Sequence, residues 1–175
     1  MKRVVITGVG GITAFGRDWA SIQTGFLQGK NAVVHMDWQD RFPELEAQLG
    51  APVADYQAPE HWTRKQLRSM GRGTQMAVDA AEQALADAGL LGDERIRDGR
   101  MGVAAGSSVG STKDVGVMGD LLLHGNSRQF NANTYVRMMP HTVAANIGIF
   151  FGLTGRVIPT SSACSSGSQG IGYAY

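Results

Sequence analysis

Cysteine is nearly absent from this chain: Cys164 is the single thiol among 175 residues. One cysteine excludes an internal disulfide framework and any paired-cysteine metal site, and it fits a reducing compartment. An excess of one charge is missing too. Sixteen Lys and Arg against fifteen Asp and Glu leave a formal net charge of +1, and no basic run marks a nucleic-acid or membrane face. Long apolar runs are also lacking. The opening Val4-Val5-Ile6 stops at Thr7, too short for a signal peptide, and no stretch is long enough to cross a bilayer. We therefore expect a cytoplasmic protein without membrane insertion. Neither a P-loop nor an H-E-x-x-H pair occurs, so neither a metal nor a cofactor is expected.

What is present suits one folded domain. Apolar residues make up 43% and charged residues 18%, enough for a real core. The 24 glycines fall at apparent turns rather than in one tract. Arg3 to Thr7 is a continuous β-branched run that reads as a strand buried on both faces. Asp18 caps a predicted helix over about 18–29, with Trp19, Ile22, Phe26 and Leu27 on one face. Residues 30–62, which hold Pro43, Pro52 and Pro59, read as an irregular excursion with a short strand near 51–54. Residues 73–88 give the clearest helix, its stripe made of Met76, Ala77, Ala80, Ala81, Ala84, Leu85 and Ala88. A strand at 101–106 runs into the small-residue turn Ser107-Ser108-Val109-Gly110-Ser111, and a helix follows to Leu123. Residues 124–134 read as loop and 140–151 as helix, with Pro140 at its start. A third strand, 156–160, leads to Cys164. Strands alternating with helices predict an α/β fold; Pro159 predicts an edge or bulge for the last strand.

Cys164 lies in Ser161-Ser162-Ala163-Cys164-Ser165-Ser166-Gly167-Ser168, between that strand and an opening helix. A lone intracellular cysteine is commonly a small buried hydrophobe. Serine, alanine and glycine on both sides are poor material for a core, however, and they leave room for a substrate. A helix N-terminus also favours the thiolate. The layout is that of a nucleophile elbow. Gly8-Val9-Gly10-Gly11-Ile12-Thr13 competes as a dinucleotide-binding turn, but Thr13 stands where G-x-G-x-x-G needs its third glycine. The histidines at 35, 61, 124 and 141 are scattered, and none is marked as a partner for Cys164.

Ser162-Ala163-Cys164-Ser165-Ser166-Gly167 resembles the active-cysteine signature of β-ketoacyl-acyl-carrier-protein synthases. Arg3 to Gly10 resembles that family's first strand and turn, and Ala105 to Gly110 its turn beside the acyl pocket. Met139 to Asn146, with Phe151 to Arg156, resembles the helix and turn before the cysteine strand. The matches run through the whole chain in order. The resemblance implies a thiolase-like layered α/β fold, with 1–175 as its first half and the C-terminal half absent from this chain. It implies a homodimer that takes an acyl group from acyl carrier protein or coenzyme A and a malonyl thioester from acyl carrier protein. Cys164 is then the catalytic nucleophile, with Val109, Met138 and Ser108 as substrate-binding residues. The family draws two histidines and a lysine from its second half, so the fragment alone is expected to be inactive in condensation, and no histidine here takes those roles. Ser162 stands where threonine is frequent, and Ser108 where glycine is frequent. Two other readings share the fold: an acyltransferase that does not decarboxylate, and a non-catalytic chain-length subunit, against which the presence of Cys164 counts.

Overall fold

The computed structural model describes residues 3–175; Met1 and Lys2, the start of the expected opening segment, lie outside the described residues. Asp18 begins the first helix as its short acceptor side chain predicts. Its carboxylate takes the Ser21 N–H at 2.8 Å, and α1 runs Trp19–Leu27. Of the apolar face expected there only Ile22 is buried. Phe26 meets Phe15 edge-on, ring centroids 5.6 Å apart, and stays exposed with Trp19 and Leu27.

Residues 30–62 are irregular apart from a minimal antiparallel pair, β1 (Val34–His35) with β2 (Leu49–Gly50). The strand expected at 51–54 thus falls just before its predicted place. Pro52 removes a ladder donor there, and the Arg72 guanidinium takes the carbonyls of Val53, Ala54 and Tyr56. α2 (Arg64–Leu67) is one turn closed by a Thr63–Gln66 capping box.

α3 (Arg72–Asp87) is the helix the alanine stripe predicts, and the stripe serves two neighbours. Ala77, Ala81 and Leu85 face the core around the fully buried Val78. Ala80 and Ala84 receive the segment before α1. Gly8 and Gly10 lie so close to the Ala84 and Ala80 carbonyls that any Cβ would collide with them. Val9 N–H donates to Asp87 at 2.9 Å and Gly11 N–H to Gln83 at 3.3 Å. The expected strand at 3–7 is corrected accordingly. Residues 3–7 make no ladder among the described residues, and Val4, Val5 and Ile6 are exposed. A β-branched run becomes a buried strand only where neighbouring strands take its backbone. Asp79, placed off the stripe by the pattern, is buried and paired with Arg17 at 2.7 Å.

A 3-10 turn (Glu94–Arg97) precedes β3 (Val103–Gly106). Then come α4 (Thr112–His124), α5 (Ala132–Met138), α6 (Thr142–Phe151), β4 (Val157–Thr160) and α7 (Ser166–Ala174). β3 and β4 pair in parallel from Val103 opposite Val157 to Gly106 opposite Thr160. Side chains alternate across that ribbon. Val103 and Val157 approach Gly148 of α6, whereas Gly170 of α7 sits on the backbone of Ala104 to Gly106. The ribbon is therefore sandwiched between α6 and α7, and α3 packs on the far side of α6. The core fills the α3–α6 seam with Trp62, Met70, Val78, Ile96, Val143, Ile147 and Phe151.

α5 occupies sequence partly read as loop. The Asn131 side chain accepts the N–H groups of Asn133 and Thr134, and the Thr134 hydroxyl accepts the Asn131 N–H. α6 begins at Thr142 rather than at Pro140, and it ends at Gly152 in the left-handed conformation (φ 67°). Pro159 lies in β4, which has β3 as its one neighbour among the described residues, so proline stands on an edge strand as expected.

Candidate active site

β3 and β4 are parallel and end side by side, and the chain leaves both C-terminal ends through small-residue turns. Such ends are where open α/β sheets hold ligands. The Ser107 N–H continues the ladder by donating to the Thr160 carbonyl at 3.0 Å. The chain beyond β4 then reverses within five residues to start α7. Cys164 is exposed at that reversal, one residue before Ser165, the N-cap of α7.

The reversal rests on a strained residue. Ala163 has φ 50°, the one non-glycine residue with positive φ among the described residues. A side chain there costs about 1 kcal/mol, so the surroundings must hold it. Three donors converge on the Ala163 carbonyl: the Ser108 hydroxyl at 2.6 Å, the Ser166 hydroxyl at 2.7 Å and the Ser166 N–H at 3.1 Å. Ser166 is buried and also accepts the Ser162 N–H at 2.9 Å, while its carbonyl accepts the Thr160 hydroxyl at 2.7 Å. Gly106 makes this closeness possible, since a Cβ on it would overlap the Ser166 carbonyl. The Ser162 hydroxyl is buried with no hydrogen-bond partner among the described residues. The Cys164 N–H likewise donates to no described group.

The 107–111 turn joins this elbow to α5. On one side Ser108 reaches Ala163; on the other, Gly110 N–H donates to the Met138 carbonyl at 3.3 Å and Ser111 N–H to the Arg137 carbonyl at 2.8 Å. Hydrogen bonds thus link the three segments that carry the residues singled out in the sequence, Cys164, Ser108 with Val109, and Met138. Val109 is 53% exposed, between the two anchored ends of its turn. Arg137 holds the buried Asp114 through Nη2 at 2.6 Å and Nε at 3.0 Å, and its Nη1 donates to the Arg68 carbonyl at 3.1 Å. Burial pushes the Asp114 carboxyl up, but the hydrogen bonds from Arg137 and Ser111 outweigh it and hold the group below its ordinary value.

Two of the four histidines bond acidic side chains. His61 bonds Glu82 at 3.0 Å and His124 bonds Asp120 at 2.9 Å. His141 sits exposed at the start of α6 and His35 in β1. A cleft of about 780 Å³ between Arg41, Phe42 and α4 contains none of the four singled-out residues. Sequence reading missed Ser166 as the hub of the elbow and Ala163 as its strained residue. No local signal marks either, because a left-handed alanine is set by what surrounds it.

The sequence matches the family described as "Beta-ketoacyl synthase, N-terminal domain" over residues 1–175. It is 36% identical over 172 residues to nodulation protein E of Rhizobium leguminosarum bv. trifolii, covering 97% of this chain and 42% of that protein. It is 30% identical over 173 residues to 3-oxoacyl-[acyl-carrier-protein] synthase 2 of Vibrio harveyi, covering 99% of this chain and 41% of that protein. Among solved structures, a β-ketoacyl synthase from Burkholderia phymatum STM815 superposes with a TM-score of 0.94 at 53% identity, over all of this chain and 43% of that one. The ishigamide ketosynthase/chain length factor superposes with a TM-score of 0.80 at 24% identity, a likeness of fold, over 98% of this chain and 43% of that one. The chain thus spans less than half the length of the proteins it matches.

Proposed function

The chain belongs to the β-ketoacyl synthase family, as its N-terminal domain, and from that membership we propose that it is the nucleophile-bearing half of a β-ketoacyl-acyl-carrier-protein synthase. The observation that carries the reading is Cys164, exposed on a strained elbow between a parallel strand and a helix. The Cys164 thiolate adds to the carbonyl carbon of an acyl thioester, and the carbonyl oxygen takes up the negative charge. The Cys164 N–H is the donor that this half offers to that oxygen. The tetrahedral adduct collapses with rupture of the carrier's C–S bond. The carrier thiolate leaves and takes a proton, and the acyl group stays on Cys164. Malonyl-carrier protein then loses carbon dioxide. Its carbanion attacks the acyl-Cys164 carbonyl, the Cys164 thiolate departs, and a β-ketoacyl thioester remains on the carrier.

Acyl carrier protein is the proposed partner, in keeping with the names of the relatives called 3-oxoacyl-[acyl-carrier-protein] synthases. Val109 and Met138 are the proposed contacts of the acyl chain, with Ser108 beside them. Residues 1–175 alone are expected to form no β-ketoacyl product, because stabilising the carbanion falls to the histidines and lysine that the family supplies from its other half. The protein is proposed to act as a homodimer in the cytoplasm. Among the described residues, no helix is long and apolar enough to cross a membrane.

The test uses the full-length protein with acyl- and malonyl-carrier protein. Wild type should gain the mass of one acyl group on Cys164 and release β-ketoacyl product, and Cys164→Ala should do neither. Normal condensation by Cys164→Ala ends this reading.

A further inference from the structure

We infer that Ser108 is a positioning residue for acyl transfer, aiming the Cys164 N–H at the oxygen that turns negative; this rests on Cys164 being the acyl-accepting nucleophile.

The Ala163 carbonyl and the Cys164 N–H belong to one peptide group. No cis peptide occurs among the described residues, and in a trans peptide the C=O and N–H point in opposite directions. Whatever fixes the direction of the Ala163 oxygen therefore fixes the direction of the Cys164 hydrogen. The oxygen is gripped by the Ser108 hydroxyl at 2.6 Å and by the Ser166 hydroxyl and N–H at 2.7 and 3.1 Å. The hydrogen, on the opposite side, meets no described group and is left for a ligand.

The donors differ in what they attach. Both Ser166 donors come from three residues along the chain, at the first residue of α7, which the Thr160 hydroxyl holds to β4. Ser108 comes from the turn after β3, a separate element anchored to α5 through Gly110 and Ser111. It grips the peptide plane from the end of β3, outside the β4–α7 connection. The arrangement also acts on strength. Donors on a carbonyl oxygen polarise its peptide and make the N–H of that group a better donor. Both effects are used only when the thioester oxygen carries charge, so they lower the barrier to acyl transfer rather than strengthen ground-state binding.

Two reactions of the same thiol separate this role from a merely structural one. Acyl transfer builds an oxyanion; alkylation by iodoacetamide displaces iodide at a saturated carbon and builds none. In the full-length protein, Ser108→Ala should slow the first-order formation of acyl-Cys164 on the order of tenfold, less than the loss of a whole oxyanion donor. Its rate of alkylation by iodoacetamide and its melting temperature should stay as in wild type. Ser108→Thr, which keeps the hydroxyl, should restore acylation. Ser108→Gly removes the hydroxyl again and guards against a folding defect peculiar to one variant. Acylation unslowed in both hydroxyl-free variants, or alkylation slowed as much as acylation, overturns this role for Ser108 while leaving the nucleophile in place. A wild-type enzyme that forms no acyl-Cys164 overturns the proposed function itself, and this inference with it.

Discussion

Ala163 concentrates the chemistry of this chain in a single backbone angle. Its φ of 50° turns the chain between β4 and α7 and leaves Cys164 exposed at the apex. Glycine would reach that angle more easily; alanine keeps it because the Ser108 and Ser166 donors hold its carbonyl. Val109 is the neighbour with most room to act. It is 53% exposed between two anchored ends of its turn, so a larger side chain there alters the space above the turn with little effect on packing. In the full-length enzyme, Val109→Phe should shorten the longest acyl primer accepted while two- and four-carbon primers remain usable. Primer competition assays with a carrier-protein series check this, and an unchanged profile in a stable variant removes Val109 from the acyl path.

Among the elements, the α4–α5 clasp decides where the 107–111 turn can sit. Asp114 in the first turn of α4 is bound by Arg137 near the end of α5, while Ser111 N–H donates to the Arg137 carbonyl and Gly110 N–H to the Met138 carbonyl, holding the turn. Removing one partner of a mostly buried pair leaves the other without compensation. Asp114→Ala should therefore destabilise the fold by roughly 2–4 kcal/mol, measured by denaturant unfolding, and slow acylation by loosening the turn. The pH dependence has a definite sign. The folded carboxyl lies below its ordinary value of 3.8, so the unfolded chain binds the proton more readily. The stabilisation is complete above the ordinary value and fades as pH falls below about 4, through the lower folded value. Unfolding curves of wild type against Asp114→Asn should converge in that acid window and stay apart at neutral pH.

At the scale of the whole molecule, this chain has the thiolase-like α/β fold of a ketosynthase N-terminal half, and much of its apolar surface faces outward. Ile171 and Tyr173 on α7, Ile149 on α6, and Leu122 and Leu123 on α4 are all exposed. Such faces are expected where further protein packs, and the chain spans 43% of the Burkholderia phymatum structure it resembles. β4 has a free edge among the described residues, with Val157 exposed along it and Pro159 within it. A free edge invites pairing with another strand, and we expect the second copy of a homodimer there. Full-length protein should sediment as a dimer at micromolar concentration, and Val157→Lys should shift it toward monomer. A wild type that remains strictly monomeric contradicts this assembly.

Local features are legible in the sequence because they depend on short-range physics. Asp18 caps α1 through its own side chain, the alanine stripe makes α3, and Gly152 ends α6. Where the outcome depends on a neighbour, sequence alone was insufficient. The run at 3–7 has the composition of a strand, yet it makes no ladder among the described residues, because strands exist only in pairs. α5 carries little apolar periodicity, and its cap at Asn131 outweighed that lack. Ser108 lies 55 residues before Ala163, and no spacing rule connects a hydroxyl after one strand to a carbonyl after another. Only the parallel pairing of β3 with β4 brings them within 2.6 Å. The sequence by itself singles out Cys164 as the proposed nucleophile; the tertiary structure decides how that residue is held, because long-range contacts set the angle of the peptide that carries it.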